Sequence, residues 1–142
     1  MLLRNHLNFV DQDVNIIIAV GHSGYEVDKK IAKEVEDVDL VVGGHSHSFL
    51  FSGKPPSNDK SKGEYPTLVT QSSGRVVPVV QAFWGTKYLG FIRLSFSENG
   101  ELSSWNNTWR NSKTPILLDG SYKQGILKII DKLKIYSKKN LQ

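Results

Sequence analysis

Three histidines in this sequence lie in two short turns rich in glycine and serine, and their side chains could bind a metal ion. The first turn is Gly21-His22-Ser23-Gly24, and the second is Gly43-Gly44-His45-Ser46-His47. Imidazole nitrogen is a common ligand of zinc and similar divalent ions. An extended His-Ser-His segment places its two rings on the same side. We therefore expect His45 and His47 to point the same way.

Each turn follows directly on a short apolar run that is typical of a strand. Residues 14–20 form the first run, and residues 38–42 form a valine-rich second run of the kind that is buried on both faces of a sheet. Between them, residues 26–36 have the apolar spacing of an amphipathic helix. The apolar stripe of this helix comprises Val27, Ile31 and Val35.

The order strand, helix, strand predicts two parallel strands joined by a right-handed crossover. The carboxyl ends of parallel strands lie at the same edge of a sheet, where ligand sites form. We therefore expect His22 to meet His45 and His47, and we predict a metal site there. A single histidine after a strand is more often a hydrogen-bonded turn residue than a ligand, so the prediction depends on all three. His6 lies outside this geometry and is interpreted as an ordinary surface or loop residue.

The rest of the chain predicts one α/β domain with a mixed sheet. A surface loop is expected over residues 51–63, because the composition changes there to serine, glycine, lysine and proline. The second half has the pattern of antiparallel strands, with Pro78 marking an edge or a bulge. A hairpin turn is expected at Glu98-Asn99-Gly100-Glu101. The other expected elements are strands at 66–71, 76–83, 88–97 and 102–110, an extended piece at 115–118 and a helix at 122–136.

Composition excludes several classes of protein. The chain has 142 residues, which is enough for one domain with a core, and it contains no cysteine. A disulfide scaffold and thiolate metal ligands are therefore excluded. The net charge of +4 owes much to C-terminal lysines at the spacing of a solvated helix face. Tyr136 is the single aromatic residue among these lysines, whereas a nucleic-acid platform uses several aromatic residues. We therefore expect no nucleic-acid partner.

Neither a signal peptide nor a membrane span is predicted within this chain. The N-terminal apolar run is too short and carries a charge at Arg4, and no later apolar stretch is long enough to cross a bilayer. The triplet Asn106-Asn107-Thr108 is an N-x-[ST] sequon, which is glycosylated only in a secretory compartment. Such triplets are common by chance, so the sequon alone is weak evidence for secretion.

A different enzymatic interpretation treats Gly21-His22-Ser23-Gly24-Tyr25 as a nucleophile elbow, because it follows a strand and precedes a helix. The elbow pattern requires glycine where Tyr25 stands. A histidine would also have to follow the acid of the triad, and the chain has none after His47. This interpretation is therefore the weaker one, and the sequence also lacks the patterns of a phosphate-binding glycine loop.

Several stretches together resemble the second half of the catalytic domain of ecto-5′-nucleotidases and salivary apyrases, within the calcineurin-like metallophosphoesterases. The first is Asn-Ile-Ile-Ile-Ala-Val-Gly-His-Ser-Gly-Tyr-Glu-Val-Asp from Asn15, and the second is Val-Asp-Leu-Val-Val-Gly-Gly-His-Ser-His-Ser-Phe-Leu from Val38. The others are Val-Pro-Val-Val-Gln-Ala from Val77 and Lys-Tyr-Leu-Gly from Lys87. The resemblance implies a partial four-layer α/β/β/α sandwich with a mixed sheet, and it implies hydrolysis of nucleotide phosphates.

The resemblance also implies two divalent metal ions, usually zinc. It assigns His22 and His45 as ligands of one ion. It places His47 at the second ion, where several members of the family have Asn or Gln, so His47 is a departure from the family pattern that imidazole chemistry still allows. The nucleotide is the implied substrate, and the implied location of the parent enzyme is extracellular or at the cell surface.

The other half of the implied site is not encoded here. The family's Asp-x-His and Gly-Asn-His-Glu or Gly-Asn-His-Asp patterns, which carry the bridging aspartate and a catalytic histidine, do not occur in the sequence. We expect residues 1–118 to be the C-terminal half of the catalytic domain and residues 119–142 to be a helix leading toward an absent nucleotide-binding domain. No catalytic residue is then expected within the chain, and we expect it to be inactive alone. The alternatives are a non-catalytic metal-binding or interaction domain, and an unstable chain that aggregates.

Overall fold

A computed structural model of the chain describes residues 14–109 and 112–118. It contains one helix and ten short strands within these residues. The predicted helix at 122–136 and the lysine-rich C-terminal segment lie outside the described residues. The elements are β1 (Ile18–Val20), α1 (Tyr25–Glu34), β2 (Leu40–Val42), β3 (Thr67–Thr70), β4 (Val76–Val80), β5 (Tyr88–Leu89), β6 (Arg93–Phe96), β7 (Leu102–Asn106), β8 (Thr108–Trp109), β9 (Ser112–Lys113) and β10 (Ile116–Leu117).

A four-stranded sheet with the order β1-β2-β4-β3 forms the centre of the fold. Strands β1, β2 and β4 are parallel, and β3 is antiparallel to β4. The prediction of an α/β fold with a mixed sheet is confirmed, and so is the parallel pairing of β1 with β2. The expectation that the second half is purely antiparallel is wrong, because β4 joins β2 in parallel. The four-layer sandwich stays a prediction.

Helix α1 packs against the sheet through part of the predicted stripe, because Ile31 and Val35 pack against the core and Val27 does not. Its buried residues are Tyr25, Asp28 and Ala32, whereas Val27 is 46% exposed. The Tyr25 hydroxyl hydrogen-bonds Thr67 Oγ1 at 2.7 Å, which fixes the first turn of the helix against β3. The small Ala32 side chain is fully buried and lets the helix approach the sheet closely. These two contacts rotate the expected apolar stripe, so that Ile31 stays partly buried and Val27 faces solvent.

The two apolar runs before the histidine turns differ in burial. Leu40 and Val41 of β2 are buried in the main core, as predicted for a strand inside a parallel sheet. In β1, Ile18 is 50% exposed and Val20 is 77% exposed. Among the described strands β1 pairs only with β2, so its outer edge and much of its surface have no neighbour. Both runs are apolar, so composition alone did not predict that β2 lies inside the sheet and β1 at its edge.

Pro78 lies in the interior of the sheet, which contradicts its interpretation as an edge marker. It is fully buried in β4 and lies opposite Leu68 of β3. The parallel pairing of β4 with β2 involves only Val79 and Val80. Residue 78 therefore precedes the ladder on that side, and the missing N–H of proline costs no ladder hydrogen bond there.

The remaining strands form three two-stranded antiparallel sheets, of which only the β6–β7 hairpin was predicted. Strands β6 and β7 are antiparallel across the expected turn, with a bulge next to Phe96. The predicted strand at 88–97 is interrupted, because β5 ends at Leu89 and pairs with β10 instead. A methyl group at Gly90 would lie 2.7 Å from the Tyr65 hydroxyl. This close approach of the backbone to Tyr65 accounts for glycine at the break.

The loop at 51–63 lies on the surface as predicted, and polar contacts hold it against β5. The Lys87 ammonium lies 2.5 Å from the Asp59 carboxylate, and Ser57 donates a hydrogen bond of 2.9 Å to the same oxygen. The Tyr88 hydroxyl also donates to Asp59, and its ring stacks on Phe49 with the ring centroids 4.4 Å apart. Hydrogen bonds from Lys87, then Tyr88 and Ser57, lower the pKa of the Asp59 carboxyl to about 2.

We predict that acid releases this loop from β5. The pKa of Asp59 is about 2 in the folded protein, and its ordinary value is 3.8. The ionised carboxylate therefore stabilises the loop fully above pH 3.8, and this stabilisation is lost as the pH falls from 3.8 toward 2. Hydrogen exchange of the loop amides should therefore accelerate in that window. An Asp59→Asn variant should lack the transition, and a Glu98→Gln variant, altered in the β6–β7 turn, should keep it. A wild-type transition that Asp59→Asn also shows would contradict the assignment to Asp59.

Candidate metal centre

The two histidine turns lie side by side at the carboxyl edge of the parallel strands. Gly21 N–H donates to the carbonyl of Val42 at 3.0 Å, and Gly43 N–H donates to the carbonyl of Val80 at 2.9 Å. These bonds continue the pairing of β1, β2 and β4 for one residue beyond the strands. Backbone hydrogen bonds alone therefore hold the residues that follow β1, β2 and β4 next to one another.

His22 and His45 come into contact, as the parallel arrangement predicted. Their ring centroids are 5.3 Å apart, and the ring planes make an angle of 73°. Both side chains are exposed, so their nitrogens can be reached from solvent. Residues separated by a whole crossover thus form a pair of imidazoles at one point of the sheet edge.

His47 lies in a different environment. Its ring stacks on Trp84, with centroids 5.3 Å apart and planes 16° from parallel. The backbone φ angles of His45 and His47 are 70° and 47°, so the segment is not extended, and the expectation based on an extended His-Ser-His is wrong. Left-handed conformations are uncommon for residues with a side chain and occur often at functional sites.

The three histidines do not form a single group. Within the described part of the chain, no set of three His, Cys, Asp or Glu side chains is placed so that it could hold a metal ion. His22 and His45 offer two nitrogen donors, whereas zinc sites use three or four protein ligands. The donor type fits a zinc-like ion, and the number of donors fits half of a site. The ligand roles of the three histidines stay predictions.

A buried polar network lies beneath the histidine pair. Asp28 of α1 is fully buried, and its carboxylate accepts a hydrogen bond of 2.7 Å from the Ser23 hydroxyl. The side-chain amide of Gln81, also buried, donates to the other carboxylate oxygen at 3.5 Å. Ser23 follows His22 directly, so Asp28 links the first histidine turn to the helix. The bond to Asp28 also occupies the hydroxyl that the nucleophile-elbow interpretation would need.

Gln81 holds the second histidine turn by its backbone and its serines. Its Nε2 donates to the carbonyl of Gly44 at 2.9 Å, and its Oε1 accepts from the Ser48 N–H and from the Ser46 hydroxyl. The Tyr25 N–H donates to Ser46 Oγ at 2.9 Å, which connects the same turn to the start of α1. The residues on both sides of His45 and His47 are thus fixed by buried partners.

Gly43 and Gly44 lie so close to neighbouring side chains that an added methyl group would force a neighbour to move. A methyl group at Gly43 would lie 1.9 Å from Asp28 Oδ2, and one at Gly44 would lie 2.7 Å from His22 Nδ1. A side chain at Gly43 would therefore push on a buried carboxylate. At Gly44 it would push on the imidazole that pairs with His45.

Sequence reasoning did not single out Gln81, Asp28 or Trp84 as parts of the site. Gln81 follows an apolar run just as His22 and His45 do, and this signal becomes informative once β4 is known to be parallel to β2. Asp28 lies outside the predicted apolar stripe of the helix, and nothing in the local sequence indicates that it is buried. Nothing in the local sequence around Trp84 indicates its stacking on His47, because the contact joins residues that are distant along the chain.

We predict that Gly43→Ala destabilises the protein by about 1–3 kcal/mol, because the added methyl group overlaps the Asp28 carboxylate in a packed interior. The matched control is Gly21→Ala at the same sheet edge, where the nearest atom to an added methyl lies 3.9 Å away. The control should change the free energy of unfolding by less than about 1 kcal/mol. Chemical denaturation measures both variants, and equal destabilisation would contradict the proposed overlap.

We predict that Gln81→Met disorders the second histidine turn. It leaves the half-buried Gly44 carbonyl and the buried Ser48 N–H without their partner, and the unpaired Ser48 N–H costs about 1–3 kcal/mol. The control is Gln71→Met, which removes a buried glutamine whose Nε2 bonds the Ala32 and Val35 carbonyls at the end of α1. Both variants should lose stability, but only Gln81→Met should shift the ring resonances of His45 and His47 in NMR spectra. Unchanged histidine resonances in Gln81→Met would contradict this role.

Comparison with known proteins places this arrangement in context. No protein-family model matches the chain. The chain is 51% identical to bovine 5′-nucleotidase over 109 residues, which is 77% of this chain and 18% of the relative. It is 49% identical to human 5′-nucleotidase over 91% of this chain and 22% of the relative. It is 45% identical to snake venom 5′-nucleotidase from Crotalus adamanteus over 94% of this chain and 22% of the relative.

Solved structures agree with these relatives. The crystal structure of a 5′-nucleotidase precursor from Thermus thermophilus has a TM-score of 0.65 and 36% identity, covering 69% of this chain and 19% of that protein. NAD nucleotidase from Haemophilus influenzae has the same TM-score of 0.65 over 91% of this chain and 25% of that protein, and at 23% identity it supports the fold alone. The chain spans about a fifth of the length of these curated relatives. It therefore belongs to the 5′-nucleotidase family, of which it represents one segment.

Proposed function

We propose that this chain is part of a metal-dependent 5′-nucleotidase that hydrolyses nucleotide phosphates to nucleosides. The observation that carries the proposal is the His22–His45 pair at the carboxyl edge of the sheet, in a sequence about half identical to 5′-nucleotidases. Paired exposed imidazoles on a rigid edge are suited to holding a divalent ion against a substrate.

In this proposal His22 and His45 would hold one zinc-like ion, and His47 would contribute to a second. When bound, such ions would supply polarisation of the phosphate and a lowered pKa of a bound water. The protein residues position the ligands. Gln81 fixes the backbone around His45, Asp28 fixes Ser23 next to His22, and the Trp84 ring limits the movement of the His47 imidazole.

We further propose that the described segment is inactive by itself. Two paired imidazoles are too few for a catalytic zinc site, so the remaining ligands must come from outside the described residues. The exposed apolar surface of β1, at Ile18 and Val20, is what a strand next to further parts of a larger enzyme would present.

We propose an extracellular location for the complete enzyme. Its support is the similarity to snake venom 5′-nucleotidase. Within residues 14–109 and 112–118, no helix has the length and apolar character needed to cross a membrane.

The first test of the proposal is zinc binding by the purified chain. We predict weak binding through His22 and His45, and loss of at least about tenfold in affinity in a His22→Ala, His45→Ala variant, because each substitution removes a ligand. Isothermal titration calorimetry gives the affinity and elemental analysis gives the metal content. His6→Ala is the matched control, since this histidine lies outside both turns. Equal binding by the double variant and the wild type would remove the proposed site.

Phosphate release from AMP provides a second measurement of the same variants. The chain alone should release phosphate no faster than the His22→Ala, His45→Ala variant, because the described residues supply only two paired imidazoles. In the complete enzyme, His45→Ala should lower the rate strongly while His6→Ala should not. An ordinary enzymatic rate for the chain alone would contradict the proposed division of the site.

A further inference from the structure

The sequon Asn106-Asn107-Thr108 lies where β7 passes into β8. Asn106 and Thr108 are exposed, whereas Asn107 between them is only 2% exposed. In an N-x-[ST] triplet that arises by chance, the first asparagine can equally well be buried in the core. The fold therefore meets a requirement of N-glycosylation that the sequence could not test, namely that the acceptor asparagine is on the surface.

The burial of Asn107 holds its two neighbours outward. Its side-chain amide donates to the Tyr65 carbonyl, and its own carbonyl accepts from the Thr114 N–H at 3.0 Å and from the Thr114 hydroxyl at 2.9 Å. Successive side chains in extended chain point to opposite sides. Asn107 is held in the interior by its side-chain amide and by its backbone carbonyl. Asn106 and Thr108, on either side of it, therefore project toward solvent.

The face of the hairpin from which Asn106 projects is polar. Asn106 lies opposite Arg93 of β6, and the next pair on the same face is Ser95 with Ser104. All four of these residues are exposed. The other face carries Leu94, which packs against the main core. A large hydrophilic group on Asn106 would stand in solvent without displacing any core residue.

The local geometry leaves the acceptor nitrogen available. Asn106 Oδ1 accepts a hydrogen bond of 2.6 Å from the Thr108 N–H, which forms a turn that brings the ends of the sequon together. Among the described residues, none accepts a hydrogen bond from Asn106 Nδ2. The amide nitrogen is thus directed outward beside the threonine of its own sequon.

We propose that Asn106 carries an N-linked oligosaccharide when the chain is made in a secretory compartment. This rests on the extracellular location in the proposed function. The donor is an oligosaccharide on a polyisoprenyl diphosphate. A bond forms between Asn106 Nδ2 and the anomeric carbon of the first sugar, the bond from that carbon to the diphosphate oxygen breaks, and the amide proton passes to a base of the transferase. The lipid diphosphate leaves, and nothing is oxidised or reduced.

The test is expression of the full 142-residue chain in eukaryotic cells behind a cleavable secretory signal. The sequence contains one N-x-[ST] triplet, so any N-glycan reports on Asn106. We expect the secreted chain to gain electrophoretic mobility after treatment with peptide N-glycosidase, and mass spectrometry of the treated protein should show Asp in place of Asn106. Attachment takes place during synthesis, so the outcome does not require a fully assembled enzyme.

Three variants distinguish acceptor chemistry from folding. Asn106→Gln and Thr108→Ala should abolish the mobility change, and Thr108→Ser, which retains the hydroxyl, should keep it. Asn106→Gln should lower the stability of the unglycosylated protein only slightly, because the side chain is exposed and loses only its bond to the exposed Thr108 N–H. A secreted wild-type chain with unmodified Asn106 would overturn the proposal. The zinc and phosphate assays are independent of this result, so a failed glycosylation test and a failed nucleotidase proposal would be told apart.

Discussion

The hydrogen bonds of the buried Gln81 side chain are the interaction on which the histidine site depends. One amide group bonds the Gly44 carbonyl, the Ser46 hydroxyl and the Ser48 N–H, and it also reaches Asp28. A buried polar group without partners is costly, so a network in which each member satisfies the others favours one arrangement over its alternatives. The left-handed backbone at His45 and His47 persists because these surrounding contacts determine it.

The close packing beneath the turn follows from the same network. Asp28 occupies the space that a side chain at residue 43 would need, and His22 occupies the space next to Gly44. The absence of side chains at Gly43 and Gly44 therefore lets the Asp28 carboxylate and the two histidine turns pack closely together. Asp28 and Gln81, which support the two turns, are buried, whereas the three imidazoles are exposed. Such a division suits ligand binding, because the support is fixed and the donor atoms can be reached.

The family relationship and the geometry of the histidine pair both favour a segment of a larger protein. The chain matches about a fifth of the length of 5′-nucleotidases. Its two paired imidazoles are fewer than the three or four protein ligands that a zinc site uses. Its edge strand β1 exposes the apolar side chains of Ile18 and Val20. The number of ligands, the open strand and the fraction of the relatives covered are all consistent with a segment of a larger enzyme.

Local pattern in the sequence determined the strands before both histidine turns, the helix between them, the parallel pairing, the hairpin turn and the surface loop. These depend on periodicity and on residues such as glycine and proline, which act over a few positions. The approach of His22 to His45 also followed, because two parallel strands with one crossover must end at the same edge. Only the tertiary structure decided the parallel placement of β4, the burial of Pro78, the exposed face of β1 and the roles of Gln81 and Trp84. Those features arise from contacts between residues far apart in the chain, whose energies no short window of sequence contains.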